Sequence, residues 1–368
     1  MNKKTIGNEP IYDARTLGAP RMLVLGFQHM FAMFGATVLV PTLTGLSVST
    51  TLLFAGLGTL LFHLLAKGKV PAFLGSSFAF LGGYAAIAPM LENPNSPGVF
   101  NVPNTELLPY ACFGVACAGL VYLVLSLLFK VFGVRKVMRF FPPIVTGPII
   151  IAIGLSLSSS AVNNCATSWP VALVAILVVI VCNIWGKGMI KIIPILLGVI
   201  ASYLVGAVSG QVDFTAVREA AWIGLPVTWS ETVFGLFGSG NVDTAMLATA
   251  AITIIPISLA TMVEHIGDMC AISSTCGRNY IQEPGLHRTL LGDGLATSLA
   301  ALFGAPANTT YGENTGVLAL SKVYDPRVIR IAAVLAIIFS FCPKFAEVVH
   351  AMPTAAIGGV SLVLYGMI

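Results

Sequence analysis

The chain has 368 residues, 57% of them hydrophobic and only 9% charged, and its mean hydropathy is +0.91. Soluble domains carry about 25% charged residues, so the composition excludes a soluble globular protein and points to an all-α polytopic membrane protein. The net charge of +4 comes from basic residues spread over short loops, which excludes a nucleic-acid partner. Seven cysteines lie mostly in apolar stretches without any C-x-x-C, so neither a metal site nor a disulfide framework is expected. The first apolar run starts near Met22 and continues through a full span, so no cleavable signal peptide is expected.

At about 20 apolar residues per crossing, twelve segments are predicted, near 22–42, 50–67, 71–90, 108–133, 141–162, 169–186, 189–208, 246–271, 287–303, 305–321, 327–343 and 351–368. The third and tenth are broken by polar or Gly/Pro sequence. With the N-terminus inside, seventeen of the nineteen Lys and Arg residues fall in cytoplasmic loops, and only Arg218 and Lys344 fall outside. That asymmetry fits the positive-inside rule. The outer stretch from Glu92 to Glu106 reads as a plain loop. The longer outer linker, 209–245, carries Trp222 and Trp229, which suit a membrane interface.

Three weak internal matches occur in the same order. Gln28-His29 pairs with Glu264-His265 at an offset of 236, and Pro71 through Phe78 pairs with Pro306 through Glu313 at 235. Pro142-Pro143 with Gly147 pairs with Pro353-Thr354 and Gly358 at 211. Equivalent segments lie seven crossings apart, an odd number, so the halves run in opposite directions, as in the inverted repeats of secondary transporters. The first repeat is residues 1–208 and the second 246–368. An offset of 211 carries residue 208 to about 419, so two further crossings, about fifty residues, are expected to complete the second repeat.

The chemistry gathers where the segments break. Gly304 to Gly316 carries a proline, glycines, Tyr311 and the carboxylate Glu313 inside a membrane-length stretch. Non-helical backbone at that depth is tolerated only where protein or a water-filled cavity surrounds it. An acid there is a functional-site candidate. Asn308-Thr309-Thr310 matches a glycosylation sequon, which this depth rules out. Glu264 and Asp268 are spaced i, i+4 and share one helix face. Two carboxylates that close in low dielectric do not both ionise readily, so the pair can carry a proton; the competing reading pairs a buried acid with His265 or His29. Phe78 and Glu313 occupy the same place in the two repeats. Asp293, in Gly292-Asp293-Gly294, is either functional or a tie between helices. No H-E-x-x-H, G-x-S-x-G or P-loop occurs, and no nucleophile–base pair is evident, so an enzyme is not expected. A channel is disfavoured by the compact, titratable site.

At these residues the chain resembles the nucleobase–ascorbate transporter family of nucleobase:cation symporters, nearest its bacterial uracil-permease branch. The resemblance rests on Gln28-His29 with Phe31 through Thr37, Gly75 through Phe80, Glu264 through Gly267, Pro284 through Arg288 and Asn308 through Asn314, and covers essentially the whole chain. It implies fourteen segments in two inverted sevens, with short antiparallel strands in segments 3 and 10. It also implies a core domain (segments 1–4 and 8–11) and a gate domain (segments 5–7 and 12 onward). The implied activity is proton-coupled uracil import across the bacterial cytoplasmic membrane, N-terminus cytoplasmic. The partners are a nucleobase, H+ and the lipid bilayer, with a homodimer left open and no cofactor. By the same resemblance Glu264 and Glu313 bind ring N–H groups, Phe78 packs on the ring, and the backbone N–H groups of Phe78 and Gly312 face its carbonyls. Ala36, Tyr311 and Tyr365 match further pocket positions, Asp268 joins Glu264 in proton coupling, and His265, Asn314 and Asp293 are secondary candidates.

The chain departs from that pattern at Asp268, where uracil permeases carry histidine. Together with Asp293 this is reminiscent of the xanthine and urate branch, although purine members usually carry glutamine where Glu313 stands. Ser321-Lys322 stands where the family signature has threonine and a basic residue. Uracil is the first reading and xanthine or another purine base the second. Anion exchangers and sulfate permeases share the architecture, but Glu264 and Glu313 would repel an anion.

Overall fold

The computed structural model describes residues 9–94, 100–137, 161–238 and 242–367, with isolated positions 6, 139, 148, 151, 155, 158, 159 and 240. The fifth predicted segment, with Pro142, Pro143 and Gly147, lies almost wholly outside them. In the first half run α1 (Ala19–Thr44), α2 (Val48–Leu65), β1 (Leu74–Ser76), α3 (Leu81–Ile87), β2 (Leu91–Glu92), β3 (Phe100–Val102), α4 (Leu108–Phe132), α5 (Trp169–Trp185) and α6 (Pro194–Val208). The second half holds α7 (Thr244–Ile254), α8 (Ile257–Cys276), α9 (Leu286–Leu302), β4 (Asn308–Thr310), α10 (Gly312–Ser321), α11 (Pro326–Ser340), α12 (Pro343–His350) and α13 (Thr354–Met367).

Local sequence explains the ends of these elements. Pro20 stands in the first turn of α1, where its missing N–H costs nothing. Gly45 closes the helix in the left-handed region at φ 82°. Ser47 caps α2, its Oγ accepting from the Thr50 N–H at 3.2 Å. Among the described residues, α1, α2, α4 and the stretch from Thr244 to Cys276 are long and apolar enough to cross a membrane. Residues 326–350 qualify only as a bent pair, α11 and α12 meeting at 85°. The predicted eleventh segment therefore ends early. Pro343, in the first turn of α12, restarts the chain in a new direction and keeps Glu347 and His350 out of the preceding span.

The two broken segments meet. β1 and β4 pair antiparallel, with Leu74 opposite Thr310, Gly75 opposite Thr309 and Ser76 opposite Asn308. The ladder extends past both ends: Ser77 N–H donates to Ala307 C=O at 2.8 Å and Tyr311 N–H to Phe73 C=O at 3.1 Å. Neighbouring helices close the outer edges with side chains. Thr59 Oγ1 of α2 accepts from Leu74 N–H at 2.9 Å and also reaches its C=O at 3.2 Å. Thr297 Oγ1 of α9 donates to Asn308 C=O at 2.7 Å, and Asn308 Nδ2 donates to Phe54 C=O at 3.0 Å. Each repeat thus supplies one strand and helical hydroxyls that satisfy it, which lets irregular backbone persist in an apolar setting.

The repeats interlock through close helix contacts. α4 packs on α9 where a Cβ on Gly119 would meet Gly294 C=O at 2.7 Å and one on Gly294 would meet Tyr122 Cβ at 2.3 Å. Small residues let the backbones approach, the usual currency of packing between membrane helices. α1 and α2 pack on α11, while α5, α6 and α13 pack on one another. The expected plain loop carries a difference: Leu91–Glu92 pairs with Phe100–Val102 as a short hairpin, because Leu, Phe and Val favour extended backbone. The linker also docks more firmly than its sequence implies. Gly224 N–H donates to Phe341 C=O at 3.0 Å, and Lys344 Nζ donates to Val217 C=O at 2.8 Å while its ammonium lies over Trp222.

Gly75 tests the strand pair. A Cβ there would meet the Tyr311 ring at 2.5 Å and Thr37 Oγ1 at 2.7 Å. Gly75→Ala is expected to destabilise the protein by about 1–3 kcal/mol, read as a lower melting temperature in detergent. An unchanged melting temperature would mean that the ring moves freely and braces nothing.

Candidate functional site

The strand pair aims two half-helices at one region. After β1 the chain turns at Phe78 and enters α3, Leu81 N–H bonding to Phe78 C=O at 3.0 Å. After β4, Tyr311 leads directly into α10, with Glu313 in its first turn. The N-terminal end of a helix presents unpaired N–H groups and partial positive charge, so α10 offers donors where Gly312 and Glu313 stand. Gly312 is exposed, and a Cβ there would meet only Asp268 Oδ1 at 3.8 Å. Glu313, next in the chain, is half-buried, as is Phe78 at the other end of the strand ladder.

α8 faces this region with its acids. Glu264 is exposed and Asp268, one turn on, half-buried. Asp268 Oδ2 accepts from Thr310 Oγ1 at 2.7 Å, which ties α8 to β4. Asp268 and Glu313 both act electrostatically on Glu264. No basic group reaches Glu264 among the described residues, because His265 turns the other way. Its Nδ1 lies 3.0 Å from Asp293 Oδ2 of α9, both side chains 0% exposed, and Phe62 packs edge-on against its ring. A further tie has the same character. Asn314 Nδ2 donates to His29 C=O at 3.0 Å and lies 3.2 Å from its Nδ1. If Nδ1 accepts, the neutral ring carries its proton on Nε2.

The candidate residues therefore separate by position. Glu264, Asp268, Gly312 and Glu313 gather at the start of α10, and Phe78 stands at the turn into α3. His265, Asp293 and Asn314 lie buried in ties between helices. Tyr311 lies under the strands, its hydroxyl donating to Ser76 C=O at 2.8 Å and accepting from Thr37 Oγ1 at 3.2 Å. Tyr365 lines a cavity of about 370 Å³ with Leu81, Tyr84 and Ile357 near the Thr44 end of α1. Ala36 belongs to α1, and its side chain is outside the described ones. Thr59 and Thr297 carry no motif of their own; their chemistry appears only once the strands are paired.

A family model described as a permease family (Xan_ur_permease) matches residues 20–368. The chain belongs to this permease family. A uracil permease of Bacillus caldolyticus is 41% identical, over 100% of this chain and 81% of that protein. A probable uracil permease of Haemophilus influenzae is 40% identical over 94% of this chain and 78% of its own. A putative pyrimidine permease of Escherichia coli is 38% identical over 94% and 75%. Among solved structures, the transmembrane domain of a cyanobacterium bicarbonate transporter gives a TM-score of 0.67 at 14% identity, covering 94% of this chain and 88% of that one. A murine solute carrier 26 anion transporter in the inward-facing state gives 0.65 at 10% identity, covering 93% and 59%. At such identity these two speak for the fold alone: an inverted-repeat transporter architecture. The permease is a multi-pass membrane transporter and not an enzyme.

The buried tie between His265 and Asp293 yields a test of role. Asp293→Leu alone leaves a buried histidine without its partner, at a cost of about 1–3 kcal/mol, and should lower the yield of folded permease. His265→Leu with Asp293→Leu should recover much of that yield by size-exclusion chromatography. Equal yields from the single variant and the parent would show that the pair bears no structural load.

Proposed function

We propose that the permease imports uracil together with H+ across the bacterial cytoplasmic membrane. The observation that carries this reading is the convergence of Glu264, Asp268 and Glu313 on the donor-bearing start of α10. Uracil is flat, with two N–H donors and two carbonyl acceptors. Glu264 and Glu313 would accept from the ring N–H groups, the backbone N–H groups of Phe78 and Gly312 would donate to its carbonyls, and the Phe78 ring would cover one face. Each donor left without a partner in such a pocket is costly, so this set selects for the base. The relatives named uracil permease, at about 40% identity across nearly the whole chain, support the same substrate.

Coupling is assigned to Glu264 and Asp268. A proton taken up by this pair neutralises part of the charge that three acids place around the base, so substrate and proton favour each other. A cytoplasmic N-terminus is supported by the basic residues, seventeen of nineteen Lys and Arg then falling in inside loops. In this scheme α1–α4 and α7–α11 form the core that holds the base, and α5, α6 and α13 belong to the gate. Alternating access then consists of one moving against the other. A purine base such as xanthine is the second reading, favoured by the aspartate at 268 where uracil permeases carry histidine.

Uptake of radiolabelled uracil, with and without a protonophore, tests transport and coupling together. Asp268→Asn is expected to abolish uphill accumulation while leaving binding or exchange; unchanged accumulation and pH dependence would remove Asp268 from the proton path. Glu313→Gln removes a charge-assisted hydrogen bond worth about 1.5–3 kcal/mol, or roughly 10- to 150-fold in Kd. Glu347→Gln, in α12, should change little. Equal, small effects from both variants would place the site elsewhere.

A further inference from the structure

The segment before α1 is docked on the far ends of the two helices that carry the acids. Ile11 forms a parallel bridge with Val323: its N–H donates to Lys322 C=O at 2.8 Å, and Tyr324 N–H donates to Ile11 C=O at 2.8 Å. Lys322 is the C-cap of α10. Tyr12 reaches the other helix, its hydroxyl donating to the C=O of Cys276, the last residue of α8, at 2.8 Å. The final carbonyls of a helix lack partners within it, so this bond fills a vacancy that α8 leaves. Arg278, just past α8, sets its guanidinium 4.1 Å above the Tyr12 ring, and Tyr324 packs on the same ring at 5.5 Å.

Charge and apolar packing fix the segment at its next turn. Ala14 N–H donates to Asp325 Oδ2 at 2.7 Å, and Arg327 Nη1 bridges Asp13 and Asp325 at 3.1 and 3.2 Å. The Arg15 hydrogen bond holds the Asp13 carboxyl down at about 2, so Asp13 keeps its charge at neutral pH. Beneath it Ile11, Ala14 and Leu17 are buried with Leu25, Val323 and Val328.

We infer that residues 11–17 form a clasp joining the far ends of α8 and α10, which makes Tyr12 a positioning residue for Glu264 and Glu313. This rests on the reading that those two acids hold the base. Cys276 lies twelve residues beyond Glu264 and Lys322 nine beyond Glu313, about 18 and 14 Å along their helices. At the near ends Thr310 ties β4 to Asp268 at 2.7 Å. α8 needs the second tie, because its face through Glu264, Gly267, Cys270 and Ala271 is exposed and, among the described residues, no packing there fixes its tilt. The clasp holds the two carboxylates at the separation that one planar base can bridge.

Two measurements on the full chain decide this. In a cysteine-free version, spin labels at Ala271→Cys and Leu320→Cys report the spacing of α8 and α10. Tyr12→Ala should broaden or lengthen that distance distribution, and Tyr12→Phe, which keeps the ring under Arg278 but loses the bond to Cys276, should fall between Tyr12→Ala and the parent. In equilibrium uracil binding, Tyr12→Ala and the exposed-site variant Arg278→Ala should each raise Kd about 5- to 20-fold, within the usual range of coupling between distant sites. The number of sites per folded protein should stay constant. Unchanged distances, or a loss confined to site number and melting temperature, would reduce the clasp to a fold staple and overturn the inference. Absence of uracil binding in the parent would overturn the functional reading instead, while the distance measurement would still decide the clasp.

Discussion

The structure depends on how six residues of extended backbone are satisfied inside an apolar fold. Leu74–Ser76 and Asn308–Thr310 pair with each other, and the hydroxyls of Thr59, Thr297 and Tyr311 bond to the backbone of Leu74, Asn308 and Ser76. Unpaired, those groups would each cost several kcal/mol in hydrocarbon. Neither repeat can supply this alone, since each contributes one strand, and so the two halves are obliged to meet. The short strands also stop the preceding helices from continuing, which exposes the start of α10 and places Gly312 against Asp268. The site is a by-product of the same pairing that permits the break.

Polar side chains near this junction divide by what they face. His265 with Asp293, and Asn314 with His29, are buried and mutually bound, so each removal leaves a stranded partner. Glu264 and Glu313 keep open surfaces and face no cation among the described residues. Acids held in a membrane protein without a basic partner are costly, and a ligand that donates two N–H groups relieves that cost. Two solved structures of similar fold are a bicarbonate transporter and an anion transporter.

Much of the fold and site is legible in the chain itself. The repeat offset of 235 sets Phe78 against Glu313, and the i, i+4 spacing sets Glu264 beside Asp268. Pro and Gly in segments 3 and 10 mark the breaks. Contacts between residues far apart in sequence are not legible. Thr310 and Asp268 are 42 residues apart, and Tyr12 and Cys276 are 264 apart; hydroxyls and backbone carbonyls carry no pattern that announces such partners. The bend between α11 and α12 is hidden as well, because an apolar run reads the same whether it crosses or turns at Cys342-Pro343. Tyr311 stands near substrate by resemblance, yet its hydroxyl is spent on Ser76 and Thr37.

The central claim is that a base sits between Phe78, Glu264 and the start of α10. A map of the permease bound to 5-bromouracil, with the bromine located by its anomalous signal, tests this most directly. The expected result is a single bromine peak within van der Waals reach of Phe78, with ring nitrogens facing Glu264 and Glu313. A peak confined to the cavity that Tyr365 lines, with the acids unoccupied, would contradict it.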